Sequence, residues 1–211
     1  MLFFLASLCA AYLVGAVPTG FLAGRLFKGV DVRQLGSGNL GATNVYRVVG
    51  AIPGLLVLIV DVAKGWLPVM FLAPVAAFGP SVKPEGAAIL LGMAAVAGHI
   101  WNPFLQFQGG KGVATGLGVL LGLSRPAALA TAAVWVAVVL MTRYVSVASI
   151  AAAMAAPFLL FFLEMPVLWI LGSIGISLTV IARHRSNLLR LLHGEEHRVG
   201  TPQKSREGDS R

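Results

Sequence analysis

The chain has 211 residues, 57% of them hydrophobic and only 11% charged, with a net charge of +8 and a mean hydropathy of +0.85. A soluble domain carries about 25% charged residues, so this composition excludes an ordinary soluble protein and points to a single-domain polytopic membrane protein. The surplus of Lys and Arg then reads as membrane topology, since cytoplasmic loops collect basic residues, and not as an affinity for nucleic acid.

Seven hydrophobic segments follow one another, at 2–24, 54–78, 87–105, 113–123, 127–141, 145–163 and 167–182. No basic residue precedes the first, so it does not read as a signal peptide. Arg25 and Lys28 follow it, which places the N-terminus outside and the next loop in the cytoplasm. Cys9, the only cysteine, lies in this run as a small packing residue and has no partner for an internal disulfide. The second segment carries Asp61 and Lys64, three residues apart. Charges at membrane depth are costly and face the protein interior. These two can pair with each other, either as a structural element or in support of a site.

Segments four and five are short against the roughly 20 residues of a full span. Arg125-Pro126 between them admits two short tilted helices or one broken helix. Charge decides for two. With seven spans, thirteen of the 16 Lys and Arg fall inside; only Lys83 and Arg125 fall outside, and Lys64 lies within a span. Fusing the two segments would move Arg143 and the basic C-terminal stretch to the outside, against the positive-inside rule. The expected architecture is therefore all-α, with seven transmembrane helices, the N-terminus outside and the C-terminus in the cytoplasm. Residues 1–196 form one transmembrane domain, and the polar stretch 197–211 reads as a disordered cytoplasmic tail. No internal repeat is present, so the inverted-repeat signature of many transporters is missing.

Three polar clusters and one short turn interrupt the apolar pattern, all on the expected cytoplasmic side. The first is Gly36-Ser37-Gly38-Asn39-Leu40-Gly41-Ala42-Thr43-Asn44, with Arg47 after it. Glycines let a ligand approach the backbone, and successive N–H groups can form an anion-binding nest. Ser37, Asn39, Thr43 and Asn44 add neutral hydrogen-bonding groups, and Arg47 can grip a phosphate with two bonds. The spacing Gly36-x-Gly38-x-x-Gly41 matches a dinucleotide-binding pattern, but no strand precedes it and no βαβ unit fits this chain.

The second cluster is Gly98-His99-Ile100-Trp101-Asn102-Pro103, then Gly109-Gly110-Lys111-Gly112-Val113-Ala114-Thr115. It is not a Walker motif: Leu105 stands where glycine is needed and Gly112 where Ser or Thr is needed. A glycine-rich turn with a lysine entering an apolar helix is still a good anion site, because the helix N-terminus offers free N–H groups and partial positive charge. The third cluster is Arg183-His184-Arg185-Ser186-Asn187, with Arg190 and Gly194-Glu195 beyond. If the helix continues, Asn187 shares a face with His184, and the histidine can accept a proton near neutral pH. Arg190 and Arg198 read as plain topology anchors. The turn is Thr142-Arg143-Tyr144-Val145-Ser146.

SGNLGATNVYR at 37–47, GHIWNPFLQFQGGKGVATG at 98–116 and RHRSNLLRLL at 183–192, with DVAKG at 61–65 and RYVS at 143–146, resemble the bacterial acyl-phosphate-dependent glycerol-3-phosphate acyltransferases, the PlsY family. The resemblance covers about residues 5 to 195. Gln108 departs from the family's pattern, where a basic residue often stands before the glycine pair. The resemblance implies a seven-helix bacterial inner-membrane enzyme whose active site faces the cytoplasm. It implies transfer of a long-chain acyl group from acyl phosphate to the 1-hydroxyl of glycerol 3-phosphate, releasing lysophosphatidic acid and inorganic phosphate. It also implies functional coupling to the enzyme that makes acyl phosphate. The His-x-x-x-x-Asp pattern of another large acyltransferase family is absent after each of the four histidines.

That chemistry suits the residues. Both substrates are anionic, and the expected binding groups are Gly38, Gly41, Thr43, Asn44, Arg47, His99, Gly109, Gly110, Lys111, Gly112, Thr115, Arg143 and Ser146. Carboxylates are scarce near these motifs, so no catalytic metal and no cofactor is expected. The acyl chain explains the membrane, since each buried CH₂ contributes about 0.8 kcal/mol to lipid partitioning. The donor is already a mixed anhydride, so direct attack without an acyl-enzyme is expected. His184, held by Asn187, orients the hydroxyl or takes its proton; the leaving phosphate is the other acceptor open to that proton. Ser37 and Asn39 would hydrogen-bond phosphate or the developing oxyanion. A transporter of a phosphorylated compound would need polar groups reachable from both faces, whereas here they cluster on one.

Overall fold

The computed structural model describes residues 1–77 and 82–200, and the regular elements among them are all helical. Residue 78 of the second apolar segment and residues 201–211 of the expected tail lie outside the described residues. The first segment forms α1 (Leu2–Gly15) and α2 (Thr19–Lys28), broken at Pro18. Proline cannot donate to the helix and clashes with the preceding turn. The carbonyls freed by the break find other partners: Asn102 Nδ2 donates to Ala16 O at 2.5 Å, and Lys64 Nζ to Val17 O at 3.1 Å.

A short helix, α3 (Ala42–Val48), precedes α4 (Ala51–Leu67). Pro68 lies in the continuation of α4, and there the chain adopts a π turn over Pro68–Leu72 before α5 (Ala73–Ala76), a common way for a helix to absorb a proline. Next come α6 (Pro84–Ile100), α7 (Val113–Leu123), α8 (Arg125–Thr142), α9 (Val145–Phe162), α10 (Val167–Arg183) and α11 (Arg185–Leu192). The fourth and fifth apolar segments are two helices, as charge required. Ser124 separates them and caps α8 by accepting from Ala127 N at 3.4 Å.

Five stretches are long and apolar enough to cross a membrane: Leu2–Lys28, Ala51–Ala76, Pro84–Leu105, Arg125–Thr142 and Val145–Phe162. The pair α10–α11, bent by 49°, makes a sixth if its two helices are counted as one span. With 11 residues, α7 is about 16 Å long, half the hydrocarbon thickness. The outward faces of α8, α9 and α10 expose Leu140, Met154, Phe158 and Leu171, a surface suited to lipid and not to water.

The helix pairs α1–α6 and α4–α7 pack backbone to backbone. A Cβ on Gly15 would strike Ala95, and one on Gly98 would strike Tyr12 O. In the second pair, Gly65 meets Thr115 O and Gly118 meets Val62 O in the same way. Such reciprocal small-residue contacts hold membrane helices together where apolar burial gives no preference for protein over lipid. The result positions the site: the loops after α2, after α6, between α8 and α9, and after α10 all gather at one end of the bundle.

Candidate active site

The first loop is built around Asn44, which is 2% exposed. Its Nδ2 donates to Val32 O, Leu35 O and Asn39 O at 2.9–3.1 Å, and its Oδ1 accepts from Ser37 N at 2.9 Å. Both polar atoms of the expected substrate contact are thus engaged in shaping the loop. Gly36 has φ +60° and lies so close to Asn44 Oδ1 that a Cβ would collide with it. Asn39 Oδ1 accepts from Gly41 N at 2.9 Å. Ser37, Asn39, Gly41, Thr43 and Arg47 line a cavity of about 310 Å³; Gly38 does not. At the outer edge, Arg33 beside Asp31 holds the Asp31 carboxyl down to about 2, against the effect of its burial.

The second loop packs tightly on the end of α6. Gly109 N donates to Ile100 O at 3.0 Å and Gly110 N to His99 O at 3.1 Å. A Cβ on Gly110 would run into His99 Nε2. These two glycines permit close backbone approach, and their N–H groups are directed at α6 carbonyls. Lys111 and Gly112 do line the cavity, but Thr115 turns into the α4–α7 contact. Burial depresses the Lys111 ammonium to about 8, with the neighbouring guanidiniums of Arg190, Arg183 and Arg47 adding to the effect and Glu196 opposing it.

His184 stands at the break between α10 and α11, 3% exposed. Its Nδ1 contacts Val180 O at 2.8 Å. A carbonyl only accepts, so Nδ1 carries the proton and Nε2 is the acceptor nitrogen. Burial, with Lys111 nearby, depresses the ring to about 4, so it is neutral at pH 7. Asn187 does not hold His184, as a continuous helix would have allowed. Its Oδ1 accepts from Lys111 Nζ, and its Nδ2 donates to Glu196 Oε1 at 2.7 Å.

Arg190 and Glu196 also line the cavity, paired at 2.8 Å. Burial pushes the Glu196 carboxyl upward, but donors from Asn187 and Arg190 outweigh it and hold the group below its ordinary range. The nearby Ser146 hydroxyl contributes too, although its contact falls short of hydrogen-bond geometry. Arg190 read as an anchor in the sequence; its signal was the three-residue spacing His184, Asn187, Arg190. Arg143 is exposed at φ +62° and stays off the cavity. Its carbonyl accepts from Val199 N at 2.9 Å, so the chain remains packed beyond residue 196. The four elements therefore bring together Ser37, Asn39, Thr43, Arg47, Lys111, Ser146, His184 and Asn187, and leave out Gly38, Gly109, Gly110, Thr115 and Arg143.

Beneath this polar end lies a buried ionic cluster. Asp61 Oδ1 is 2.9 Å from Lys64 Nζ and 3.8 Å from His99 Nδ1, and accepts from Thr19 Oγ1 at 2.5 Å. His99 reaches the cavity wall, but its neighbours are Asp61 and the glycine loop. Among the described residues no group of three His, Cys, Asp or Glu is placed to hold a metal ion.

From the polar end the cavity continues as an apolar arm between α7, α8, α9 and α10, lined by residues such as Leu120, Trp135, Ala152 and Ile176. Fold and site together define an integral membrane protein whose cavity has a basic, polar head and an apolar arm. The family model for glycerol-3-phosphate acyltransferase matches residues 5–194, and the chain belongs to that family. Relatives named glycerol-3-phosphate acyltransferase include one from Synechococcus sp. (strain CC9902), 46% identical over 94% of this chain and 96% of its own. Another, from Desulforudis audaxviator (strain MP104C), is 49% identical over 89% and 91%. A crystal structure of PlsY (YgiH), an integral membrane glycerol 3-phosphate acyltransferase in its glycerol 3-phosphate form, matches with a TM-score of 0.86 and 42% identity, over 94% of this chain and 96% of that one. The lysophosphatidic acid form of the same protein matches at 0.84.

Proposed function

We propose that the protein transfers a long-chain acyl group from acyl phosphate to the 1-hydroxyl of glycerol 3-phosphate, at the cytoplasmic face of a bacterial inner membrane. The acylation of glycerol 3-phosphate to lysophosphatidic acid is the reaction of its family. The observation that carries the donor assignment is the shape and charge of one cavity. Arg47, Lys111 and Arg190 offer positive charge for two phosphates at its head, and the arm takes an alkyl chain directly from lipid.

The hydroxyl of glycerol 3-phosphate attacks the acyl carbonyl carbon. The new ester C–O bond forms as the bond from acyl carbon to phosphate oxygen breaks, and inorganic phosphate leaves. Neutral His184 presents Nε2 to the hydroxyl and orients it or receives its proton; the departing phosphate is the alternative acceptor. Ser37, Asn39 and Thr43 supply neutral polar groups around the charge that develops, while Asn187 positions Lys111. No protein nucleophile is required, because the donor is an anhydride.

The same arrangement supports the topology read from the sequence. Both α6 and α8 end at the polar head, so α7 carries the chain away from it and α8 returns. Counted this way there are seven crossings, with the basic loops inside and the N-terminus outside. An acyl phosphate donor also implies coupling to the enzyme that makes it.

The test is acyl transfer by purified protein in detergent, with palmitoyl phosphate and labelled glycerol 3-phosphate, and palmitoyl-CoA as the parallel donor. Labelled lysophosphatidic acid from palmitoyl phosphate alone is the expected result. Product from palmitoyl-CoA at a comparable rate overturns the donor assignment.

A further inference from the structure

The apolar arm ends at a level that helix register defines. Trp135 Nε1 donates to Ser149 Oγ at 3.2 Å, which aligns α8 with α9. Ser177 Oγ donates to Ala153 O at 2.5 Å, which aligns α9 with α10. The helices run antiparallel, so Ala156, three residues deeper on α9, stands opposite Ser173 on α10. A Cβ on Gly172 would strike Ile89, which brings α6 to the same height. A Cβ on Gly92 would strike Val119, which sets Leu123 level with Ile89. Ile89, Leu123, Ala156 and Ser173 are also the cavity-lining residues farthest from the polar end on their four helices. Trp169 packs between the buried cluster that contains Ile89 and Leu123 and the one that contains Leu160.

These four residues form a floor. Ser146 and Ala156 are ten residues apart along α9, and His184 and Ser173 are eleven apart along α10. At 1.5 Å per residue both put the floor about 15–16 Å below the polar head. The serines along the wall above it turn their hydroxyls to backbone: Ser149 Oγ donates to Val145 O at 2.8 Å and Ser173 Oγ to Ile170 O at 2.7 Å, while the buried Thr131 Oγ1 of α8 lines the cavity without a hydrogen-bond partner.

We infer that Ala156 and Ser173, two small residues facing each other across this floor, set the length of acyl chain the protein accepts; the inference rests on the acyl-transfer reading above. A phenylalanine at either position raises the floor by about one helical turn, or ~5.4 Å. A C–C bond of about 1.5 Å advances roughly 1.25 Å along an extended chain, so this excludes about four methylenes. Each methylene denied burial weakens binding about fourfold. The predicted loss for a long donor is thus on the order of a hundredfold, whereas a short donor never reaches the floor.

The experiment compares kcat/KM for octanoyl, lauroyl, myristoyl and palmitoyl phosphate in the full-length wild-type protein, Ala156→Phe and Ser173→Phe. A floor at this depth takes about thirteen bonds, so a myristoyl chain just fills the arm. Both variants are expected to lose about a hundredfold with myristoyl phosphate and to stay within about threefold with octanoyl phosphate. Leu123→Ala tests the floor in the other direction and is expected to raise the palmitoyl-to-myristoyl ratio severalfold. Equal loss with all donors, an unchanged profile in the phenylalanine variants, or no rise with Leu123→Ala overturns the inference while leaving acyl transfer intact. No product from the wild type with any donor overturns the acyl-transfer reading itself.

Discussion

Lys111 Nζ donates to Asn187 Oδ1, joining the glycine loop before α7 to the first turn of α11. The bond ties the Lys111 ammonium to the helix that follows His184, so the positions of the two groups are set by one framework. Lys111→Ala removes both the cation and the partner of Asn187. We expect kcat/KM to fall by about ten- to a hundredfold, since a charge-assisted contact contributes roughly 1.5–3 kcal/mol. The measurement is steady-state kinetics with glycerol 3-phosphate varied.

The Lys111 ammonium, brought down to about 8 by burial, sets a pH dependence. Its charge is present below that value and lost above it, so kcat/KM is expected to decline as pH rises through about 8. Lys111→Arg keeps its charge at every accessible pH, and the alkaline limb should move upward even if the absolute rate falls. A limb that stays in place in Lys111→Arg would assign it to another group.

His184 is neutral above about 4 and its tautomer is set by Val180 O. If Nε2 handles the hydroxyl proton, His184→Ala lowers kcat by about 10²–10⁴-fold, with a much smaller change in the KM for glycerol 3-phosphate. A change in KM alone would give His184 a binding role only. Single-turnover rates with preformed ternary complex separate the two.

Glu196 joins Arg190 and Asn187 over the cavity. Its carboxyl is held below its ordinary range. The stability it contributes is therefore complete above the ordinary carboxylate pKa of about 4.3 and is lost as pH falls through the lower folded value. Glu196→Gln should lower the Tm at pH 7 and flatten its acid dependence. Thermal melts in detergent at several pH values read both effects.

Asp61 and Lys64 form a buried pair at 2.9 Å, with side chains 1% and 5% exposed. Removing one partner leaves an uncompensated charge, so Asp61→Ala should destabilise by about 3–5 kcal/mol. Removing both, as in Asp61→Leu/Lys64→Met, should restore much of that loss. Chemical denaturation of the two variants gives the coupling directly. Equal instability of the single and double variants would point to Thr19 and His99 as the groups that depend on Asp61.

Much of this was legible in the chain. Apolar runs interrupted at Arg25, Arg125-Pro126 and Arg143 marked most of the helices, because a backbone in lipid must satisfy its own hydrogen bonds and has few other options, whereas the break at Pro18 inside the first run was not read. Charge placed the polar motifs at one end and required α7 and α8 to be separate. Ser37, Thr43, Arg47, Lys111 and His184 stood out as polar residues in an apolar chain, where each needs a reason. What the sequence could not determine was the direction each group faces. Arg190 and Glu196 enter the site only because the chain folds back after α11, and Arg143 leaves it because its backbone caps α8. The N–H groups of Gly109 and Gly110 meet α6 carbonyls, a packing that the glycine spacing alone did not reveal. The floor of the arm depends on the register of four antiparallel helices. Register is the outcome of side-chain contacts between segments far apart in the chain, and only the tertiary structure decides it.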